Sequence, residues 1–190
     1  MARLKDPDRR ALIMRVALEH FSARGFHAAS IKDLATSCEI SLGSLYTYFR
    51  SKEELVNELF RHWKLQFANF VAEGTSEVTG RAAHRMVWSN IARYIVAHPD
   101  AFGFLEAQLH ATYLDDTSKK LEVELNDSLI NYYQDRIQLG HTREKAQLVI
   151  SATFGSYIQV FKASQAGLIK FDHATHEQLE ILAWRMASGS

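Results

Sequence analysis

Histidine and cysteine are the residue types of this sequence with the widest reactivity. The 190 residues include nine histidines and one cysteine. His173 and His176 stand three residues apart, a spacing at which two imidazoles on a helix can share a metal ion. The sequence fixes no third ligand, and it contains no HExxH motif, no GxSxG motif and no glycine-rich phosphate loop. We therefore expect no catalytic site, no bound metal and no cofactor, and we expect Cys38 to be a buried packing residue.

The segment Ser30–Leu55 is suited to hydrogen bonding with nucleic acid. Its sequence is SIKDLATSCEISLGSLYTYFRSKEEL. Two helical stretches of about eight residues flank a tight turn over Cys38–Ser41, which predicts a helix-turn-helix. The second helix of that motif enters the major groove, where hydroxyls and cations bind phosphates and a threonine methyl contacts thymine. The residues expected to contact DNA are Ser30, Ser41, Leu42, Gly43, Tyr46, Thr47, Tyr48 and Lys52.

Five of these residues also have a purely structural interpretation. The two tyrosines fit the rim of a core, the two serines fit helix caps, and Lys52 fits a solvated surface. Gly43 carries the most weight, because a glycine inside a helix costs about 1 kcal/mol relative to alanine. It needs either a packing reason or a close approach of the backbone, and approach to DNA is one such reason.

The elements that must position these residues are helices throughout. Proline occurs only twice, and apolar residues recur at three-to-four spacing over long stretches, which predicts an all-α fold of about nine helices. Ser30, Ser41 and the box Ser51–Glu54 supply N-terminal caps, while Gly25 suits a left-handed C-terminal position. Pro99 fits a first helical position, and one helix is expected over about 119–139.

The charge of the chain is zero in total but uneven along its length. Residues 1–52 hold nine basic and five acidic side chains, and the remaining residues hold thirteen and seventeen. A basic first quarter indicates a surface that meets a polyanion. A lone cysteine, the charged first ten residues and the absence of an 18-residue apolar run predict a cytoplasmic protein outside the membrane.

The same segment resembles the DNA-binding signature of the TetR family of bacterial transcriptional repressors. The match covers about Gly25 to Leu59, and its residues are Gly25-Phe26, Ile31, Leu34-Ala35, Ile40-Ser41, Gly43-Ser44-Leu45-Tyr46, Tyr48-Phe49 and Ser51-Lys52-Glu53-Glu54-Leu55. The resemblance implies a homodimer on palindromic DNA, with a helix-turn-helix domain over 1–52 and a helical ligand-binding and dimerisation domain over 53–190. It also implies phosphate contacts from Tyr46, Tyr48 and Lys52, and base-edge contacts from Leu42, Gly43 and Thr47.

Two residues depart from the family pattern. Glu39 stands where the turn usually has glycine, and a positive φ there costs a side chain roughly 1 kcal/mol. Leu42 stands where lysine or a polar residue is common, which favours a thymine methyl or backbone packing and leaves the base preference open.

The region after Lys52 carries aromatic stripes that fit either a core or an apolar ligand cavity between helices. Polar and aromatic residues within the stripes are the candidates for an apolar or aromatic effector. They are His62, Trp63, Trp88, Gln108, His110, Tyr113, Tyr132 and Phe154.

The last two predicted helices carry small residues beside apolar ones, which suits either close packing against a second subunit or closure of a monomer core. In relatives of the TetR family these helices form a four-helix bundle between subunits. The candidate dimer residues are Ser151, Gly155, Ile158, Leu179, Leu182 and Trp184.

Together these patterns predict a dimeric, ligand-released repressor that binds double-stranded DNA. The alternative is an all-α regulator or adaptor that acts through protein–protein contact without small-molecule induction.

Overall fold

The computed structural model describes residues 7–108 and 111–189, and within these ranges the chain is helical without a β-strand. The described residues form nine α-helices, which confirms the predicted all-α fold. They are α1 (Pro7–Ala28), α2 (Ile31–Ser37), α3 (Leu42–Tyr48), α4 (Lys52–Ala72), α5 (Gly80–Ala97), α6 (Pro99–Ala107), α7 (Asp116–Tyr132), α8 (Arg143–Gln165) and α9 (His173–Ser188). A 3₁₀ turn at Thr75–Glu77 precedes α5, and a π-helical turn at Tyr133–Ile137 extends α7.

The helix boundaries follow the predicted caps. The Ser30 side chain accepts a hydrogen bond from the Asp33 amide at 3.2 Å, and Ser41 accepts one from the Ser44 amide at 3.1 Å. Each serine thus satisfies an amide that has no carbonyl partner in the first helical turn. Pro99 begins α6, where its missing N–H costs no hydrogen bond.

The end of α1 also follows its prediction. Gly25 has φ of +72°, a conformation that a side chain rarely adopts, and it breaks the regular dihedral angles of the helix. The chain then makes one more turn, and the Ala29 amide donates to the Gly25 carbonyl at 3.2 Å. This turn places Phe26 and His27 beside Lys52, the first residue of α4.

Unit 1 of the fold contains the described residues of Met1–Gln66 and His98–Glu122. Here α1 packs on α2 and on α6, and α2 packs on α3. The buried side chains of Leu34, Leu45 and Phe49 join these helices, and Phe21 of α1 stacks on Phe104 of α6 with ring centroids 6.3 Å apart. The inner face of α3 is therefore fixed by apolar burial, which leaves its other face to solvent.

Unit 2 contains Phe67–Ala97 and the described residues of Val123–Ser190. Here α9 packs on α5 and on α8, while the π-helical turn contacts α5 and α8. A buried apolar cluster joins them, and its members include Ala83, Ile130, Ile137, Ala146, Val149, Ile150 and Ala187. The predicted functional boundary after Lys52 stays a prediction.

The end of α7 differs from the continuous helix expected over 119–139. The α-helix stops at Tyr132, the π-helical turn follows, and Gln138 closes it with φ of +61°. The wider i→i+5 turn carries Tyr133 and Ile137 into the buried cluster. Apolar periodicity alone does not distinguish such a turn from an α-helix.

Candidate nucleic-acid interface

The turn between α2 and α3 is tight and hydrogen-bonded. The Glu39 amide donates to the Thr36 carbonyl at 3.0 Å, and the Ile40 amide donates to the Ala35 carbonyl at the same distance. Glu39 has φ of +54°, so it adopts the left-handed conformation for which glycine is better suited. The expected strain at Glu39 is therefore present, and the turn keeps its geometry.

Cys38 lies beneath this turn and is fully buried. Burial raises the pKa of its thiol, with a smaller opposing effect from Arg15 and Arg9. A raised pKa keeps the sulfur protonated and weakly reactive. Cys38 therefore packs the motif, as the sequence suggested.

The outer face of α3 presents five of the eight predicted DNA contacts together. Leu45 is buried, whereas Ser41, Leu42, Gly43, Tyr46 and Thr47 are all exposed around it. The Thr47 hydroxyl donates to the Ser44 carbonyl at 2.6 Å, which fixes the orientation of its side chain. A side chain held in this way presents a defined surface to a base edge.

Gly43 is not explained by the packing of the chain itself. A Cβ atom added to it would meet only the Ser41 Oγ atom, at 3.9 Å, which is ordinary van der Waals contact. Its φ also lies outside the left-handed region that requires glycine. The helix therefore bears the cost of a glycine for which unit 1 gives no internal reason.

Ser30, Tyr48 and Lys52 lie nearer the core than the other five. Ser30 caps α2, and Tyr48 is half-buried at the end of α3. The Lys52 ammonium lies 4.6 Å from the centroid of the Phe26 ring and 3.4 Å from the His27 carbonyl oxygen. These contacts hold the side chain against the end of α1, and its partial burial there lowers the pKa of Lys52.

The predicted effector residues are divided between the two units. In unit 1, His62 is exposed with its ring edge-on to Trp63, whereas Gln108 is buried and accepts a hydrogen bond from the Tyr113 hydroxyl. Tyr113 also stacks on Phe26, a contact that its spacing in the sequence does not predict. His110 lies outside the described residues.

In unit 2, the three other effector candidates meet neighbouring side chains or backbone. Trp88 lies 5.2 Å from Tyr157 between ring centroids, and Phe154 lies 6.2 Å from Phe67. The Tyr132 hydroxyl donates to the Thr75 carbonyl at 3.4 Å.

A buried polar cluster in unit 2 was not predicted. Arg81 makes a two-pronged ion pair with Glu180, and His84 lies beside the same carboxylate at 3.7 Å. Burial, together with the nearby Arg81 charge, lowers the pKa of His84 to about 4. The only sequence signal is that His84 lies on the same helical stripe as Trp88 and Ile91.

The predicted dimer residues lie on α8 and α9 with unequal exposure. Ser151 and Leu182 are exposed, whereas Gly155, Ile158 and Leu179 are half-buried. Trp184 is half-buried too, and it packs inside unit 2, with the Arg81 guanidinium 4.8 Å from its ring centroid and His84 edge-on to it. Three further exposed apolar residues share these helices, namely Leu148 on α8 and Ile181 and Met186 on α9.

The two histidines near the start of α9 differ in their surroundings, because His173 is exposed and His176 is packed. His176 is buried, its Nδ1 atom is hydrogen-bonded to the Tyr157 hydroxyl, and Phe171 lies edge-on to its ring. Across residues 7–108 and 111–189 no group of three histidine, cysteine, aspartate or glutamate side chains is placed to hold a metal ion.

Comparison with known proteins decides the family. The model of "Bacterial regulatory proteins, tetR family" matches residues 13–59, and the "Tetracyclin repressor-like, C-terminal domain" model matches residues 60–188. The chain belongs to the TetR family. The family consists of transcriptional regulators and not of enzymes, and its N-terminal model covers the helix-turn-helix of α2 and α3.

Two curated relatives of this TetR-family regulator show the extent of the sequence similarity. The HTH-type transcriptional regulator LuxR of Vibrio harveyi is 34% identical over 71 residues, which are 37% of this chain and 35% of LuxR. The HTH-type transcriptional repressor KstR2 of Mycobacterium tuberculosis is 29% identical over 121 residues, 59% of this chain and 60% of KstR2. The matched segments thus span about one third to three fifths of the length of these relatives.

Solved structures show that the similarity of the fold extends over nearly the whole chain. A TetR-like transcriptional regulator from Rhodococcus sp. RHA1 is 26% identical, with a TM-score of 0.77, and covers 99% of this chain and 100% of its own. A TetR family regulator from Marinobacter aquaeolei VT8 has a TM-score of 0.82 at 18% identity, covering 96% of each chain. Among the described residues, no helix is long and apolar enough to cross a membrane.

Proposed function

We propose that this TetR-family regulator is a repressor that binds a palindromic operator as a homodimer and is released by a small-molecule effector. The observation that carries the proposal is the outer face of α3, where Gly43 lies between exposed residues and has no packing role within unit 1. A glycine with no internal role is explained by close approach of the α3 backbone to DNA.

The roles proposed along α3 differ by residue. Leu42, Gly43 and Thr47 lie toward base edges, whereas Tyr46, Tyr48 and Lys52 bind phosphates. Ser30 and Ser41 supply further phosphate contacts in addition to their caps. Base-edge residues determine which sequence is bound, and phosphate residues determine how strongly affinity depends on salt.

Dimerisation is proposed through the exposed faces of α8 and α9. Leu148, Ser151, Gly155 and Ile158 recur on α8 at intervals of three or four residues, and Leu148 is 68% exposed. A Cβ atom added to Gly155 would meet nothing within 4 Å, so the gap at this position serves no packing within the chain. A neighbouring helix can approach closely at such a gap, and dimerisation is what sets the spacing of two recognition helices on DNA.

The second dimer helix presents a similar apolar face. Leu179, Leu182 and Met186 recur on α9, and Leu182 is 58% exposed and Met186 52% exposed. An apolar face left to water on two helices indicates that a partner covers it. We assign Trp184 to the rim of this face, where its packing on Arg81 holds the end of α9.

The effector is proposed to be apolar or aromatic, because its candidate contacts are mostly aromatic rings. An effector changes the DNA-bound population only through its different affinities for the bound and the free conformations. In unit 1, three side chains of α4 donate hydrogen bonds to the start of α7 or to the residues just before it. These bonds offer a route that couples effector binding to the position of α4. Asn57 donates to the Tyr113 carbonyl at 2.9 Å, Arg61 donates to Asp115 at 3.0 Å, and Lys64 donates to Glu122 at 2.9 Å.

The proposal is tested by selecting duplexes from a random-sequence pool with the full-length protein. We expect a palindromic sequence to be recovered, and we expect Thr47→Ala to change the recovered bases at one position of each half-site. Lys52→Ala is expected to weaken binding to all duplexes equally. A pool that yields no enriched sequence contradicts the proposal and supports action through protein–protein contact.

Effector release is tested separately on the selected duplex. Apolar and aromatic compounds are titrated into the protein–DNA complex while the fluorescence anisotropy of labelled DNA is followed. A saturable fall in anisotropy supports release, and a saturable rise in affinity shows recruitment instead.

A further inference from the structure

The ring of Tyr113 lies against the ring of Phe26, and the ammonium group of Lys52 lies over the Phe26 ring. The two ring centroids are 3.8 Å apart with an angle of 21° between the planes, so the rings are stacked. The Lys52 Nζ atom lies 4.6 Å from the Phe26 centroid. His27 closes the group edge-on, with its ring centroid 5.3 Å from that of Phe26 and 6.0 Å from that of Tyr113.

Lys52 needs this support because a lysine side chain is long and flexible. Its ammonium is held by the electron-rich face of Phe26 and by a hydrogen bond of 3.4 Å to the His27 carbonyl oxygen. Lys52 is also the first residue of α4, and the N-terminus of a helix favours a phosphate. The charge is thus held close to its own helix terminus.

Tyr113 is itself fixed at both ends. Its hydroxyl donates to the Oε1 atom of Gln108 at 2.5 Å, and the buried Gln108 donates in turn to the Phe104 carbonyl at 3.2 Å. Its own carbonyl accepts from the buried Asn57 side chain at 2.9 Å. Since Asn57 lies on α4 only five residues after Lys52, Tyr113 and Lys52 are tied to the same part of one helix.

We propose that Tyr113 is a positioning residue for DNA binding: its ring fixes Phe26, and Phe26 fixes the ammonium of Lys52 where it meets a phosphate. This inference rests on the proposed role of Lys52 as a phosphate contact. Tyr113 lies in the connection between α6 and α7, and it serves DNA binding without touching DNA itself. Tyr113 is then not an effector contact.

The test measures how the affinity for a duplex selected by the wild-type protein changes with salt concentration. The slope of log K against log salt is negative, and removing one phosphate interaction reduces its magnitude by about 0.9, or by about 1.8 for a dimer. Lys52→Met sets the size of that change. We expect Tyr113→Leu, which removes the ring face but keeps apolar volume, to reduce the magnitude of the slope as well and to weaken binding by up to roughly 30-fold at 0.15 M salt.

Three comparisons make the test specific. Tyr113→Phe keeps the stacked ring and is expected to restore most of the slope, whereas Phe171→Leu removes an aromatic ring in unit 2 and is expected to leave the slope unchanged. In the Lys52→Met background, Tyr113→Leu is expected to reduce the magnitude of the slope no further. If Tyr113→Leu does not fold by circular dichroism, Phe26→Leu gives the same measurement, because it removes the ring that contacts Lys52.

A wild-type slope in the folded Tyr113→Leu or Phe26→Leu protein overturns the inference, whatever the affinity. So does a Tyr113→Leu protein in which only the response to an effector is altered. If the wild-type protein selects no duplex, the proposed function fails first, and that outcome is separate from a failure of the positioning role.

Discussion

Replacing Gly43 with alanine separates the stability of α3 from its function. Alanine is favoured over glycine in a helix by about 1 kcal/mol, and the new methyl group would have only one neighbour, at 3.9 Å. No clash within the protein offsets that gain. We therefore expect Gly43→Ala to stabilise the protein by about 0.5–1 kcal/mol, which raises the Tm by roughly 1–4 °C for a chain of this size.

The same methyl group is expected to weaken DNA binding. An extra methyl group in a closely packed interface costs typically about 1–3 kcal/mol, and a dimer carries the substitution at both half-sites. A total of about 2 kcal/mol or more corresponds to at least roughly 30-fold weaker binding. The assay combines a thermal melt with fluorescence anisotropy on the duplex selected by the wild-type protein.

A control variant separates DNA approach from stabilisation alone. Ser89→Ala replaces an exposed residue in the interior of α5 and is expected to stabilise the helix slightly while leaving DNA affinity unchanged. If Gly43→Ala binds the duplex within twofold of the wild-type protein, the backbone of α3 does not approach DNA closely, and the argument from Gly43 is wrong.

Three further predictions concern the turn, a buried histidine and the dimer face. Glu39→Gly is expected to relieve the φ of +54° and stabilise the protein by about 1 kcal/mol, which chemical denaturation measures; a lower midpoint contradicts the assigned strain. His84 is neutral when buried with its pKa near 4, so the unfolded state binds more protons below pH 6.5. We expect the free energy of unfolding to fall by roughly 3 kcal/mol as the pH falls from 6.5 to 4. If the free energy of unfolding of His84→Phe has the same pH dependence as that of the wild-type protein, this assignment is refuted. Leu182→Lys places a charge on the exposed face of α9 and is expected to produce monomers in light scattering after size-exclusion chromatography, whereas an unchanged dimer places the interface elsewhere.

The helix-turn-helix could be predicted because its signals are local. Ser30 and Ser41 lie three residues from the amides that they cap, and Leu45 and Phe49 mark the buried side of α3 by their spacing. The strain at Glu39 was expected from the family resemblance, because Glu39 stands where that pattern usually has glycine.

The contacts that the sequence did not reveal join residues far apart in the chain. Tyr113 meets Phe26 across 87 positions, and Arg81 meets Glu180 across 99. Helical periodicity places each of these residues on one side of its own helix but does not choose the partner. The inward position of Lys52 was missed for the same reason, since its support comes from the end of α1.

We propose that two copies of α3 bind one operator. The number of protomers per duplex and the distance between the two half-sites test this proposal most directly. Light scattering and hydroxyl-radical footprinting are performed on the full-length protein with the duplex selected from a random pool. We predict one dimer per duplex, with two protected half-sites whose centres lie about 10–10.5 base pairs, or a multiple of that distance, apart. A single protected half-site bound by a monomer, or protection that is equal on unselected DNA, would contradict the account.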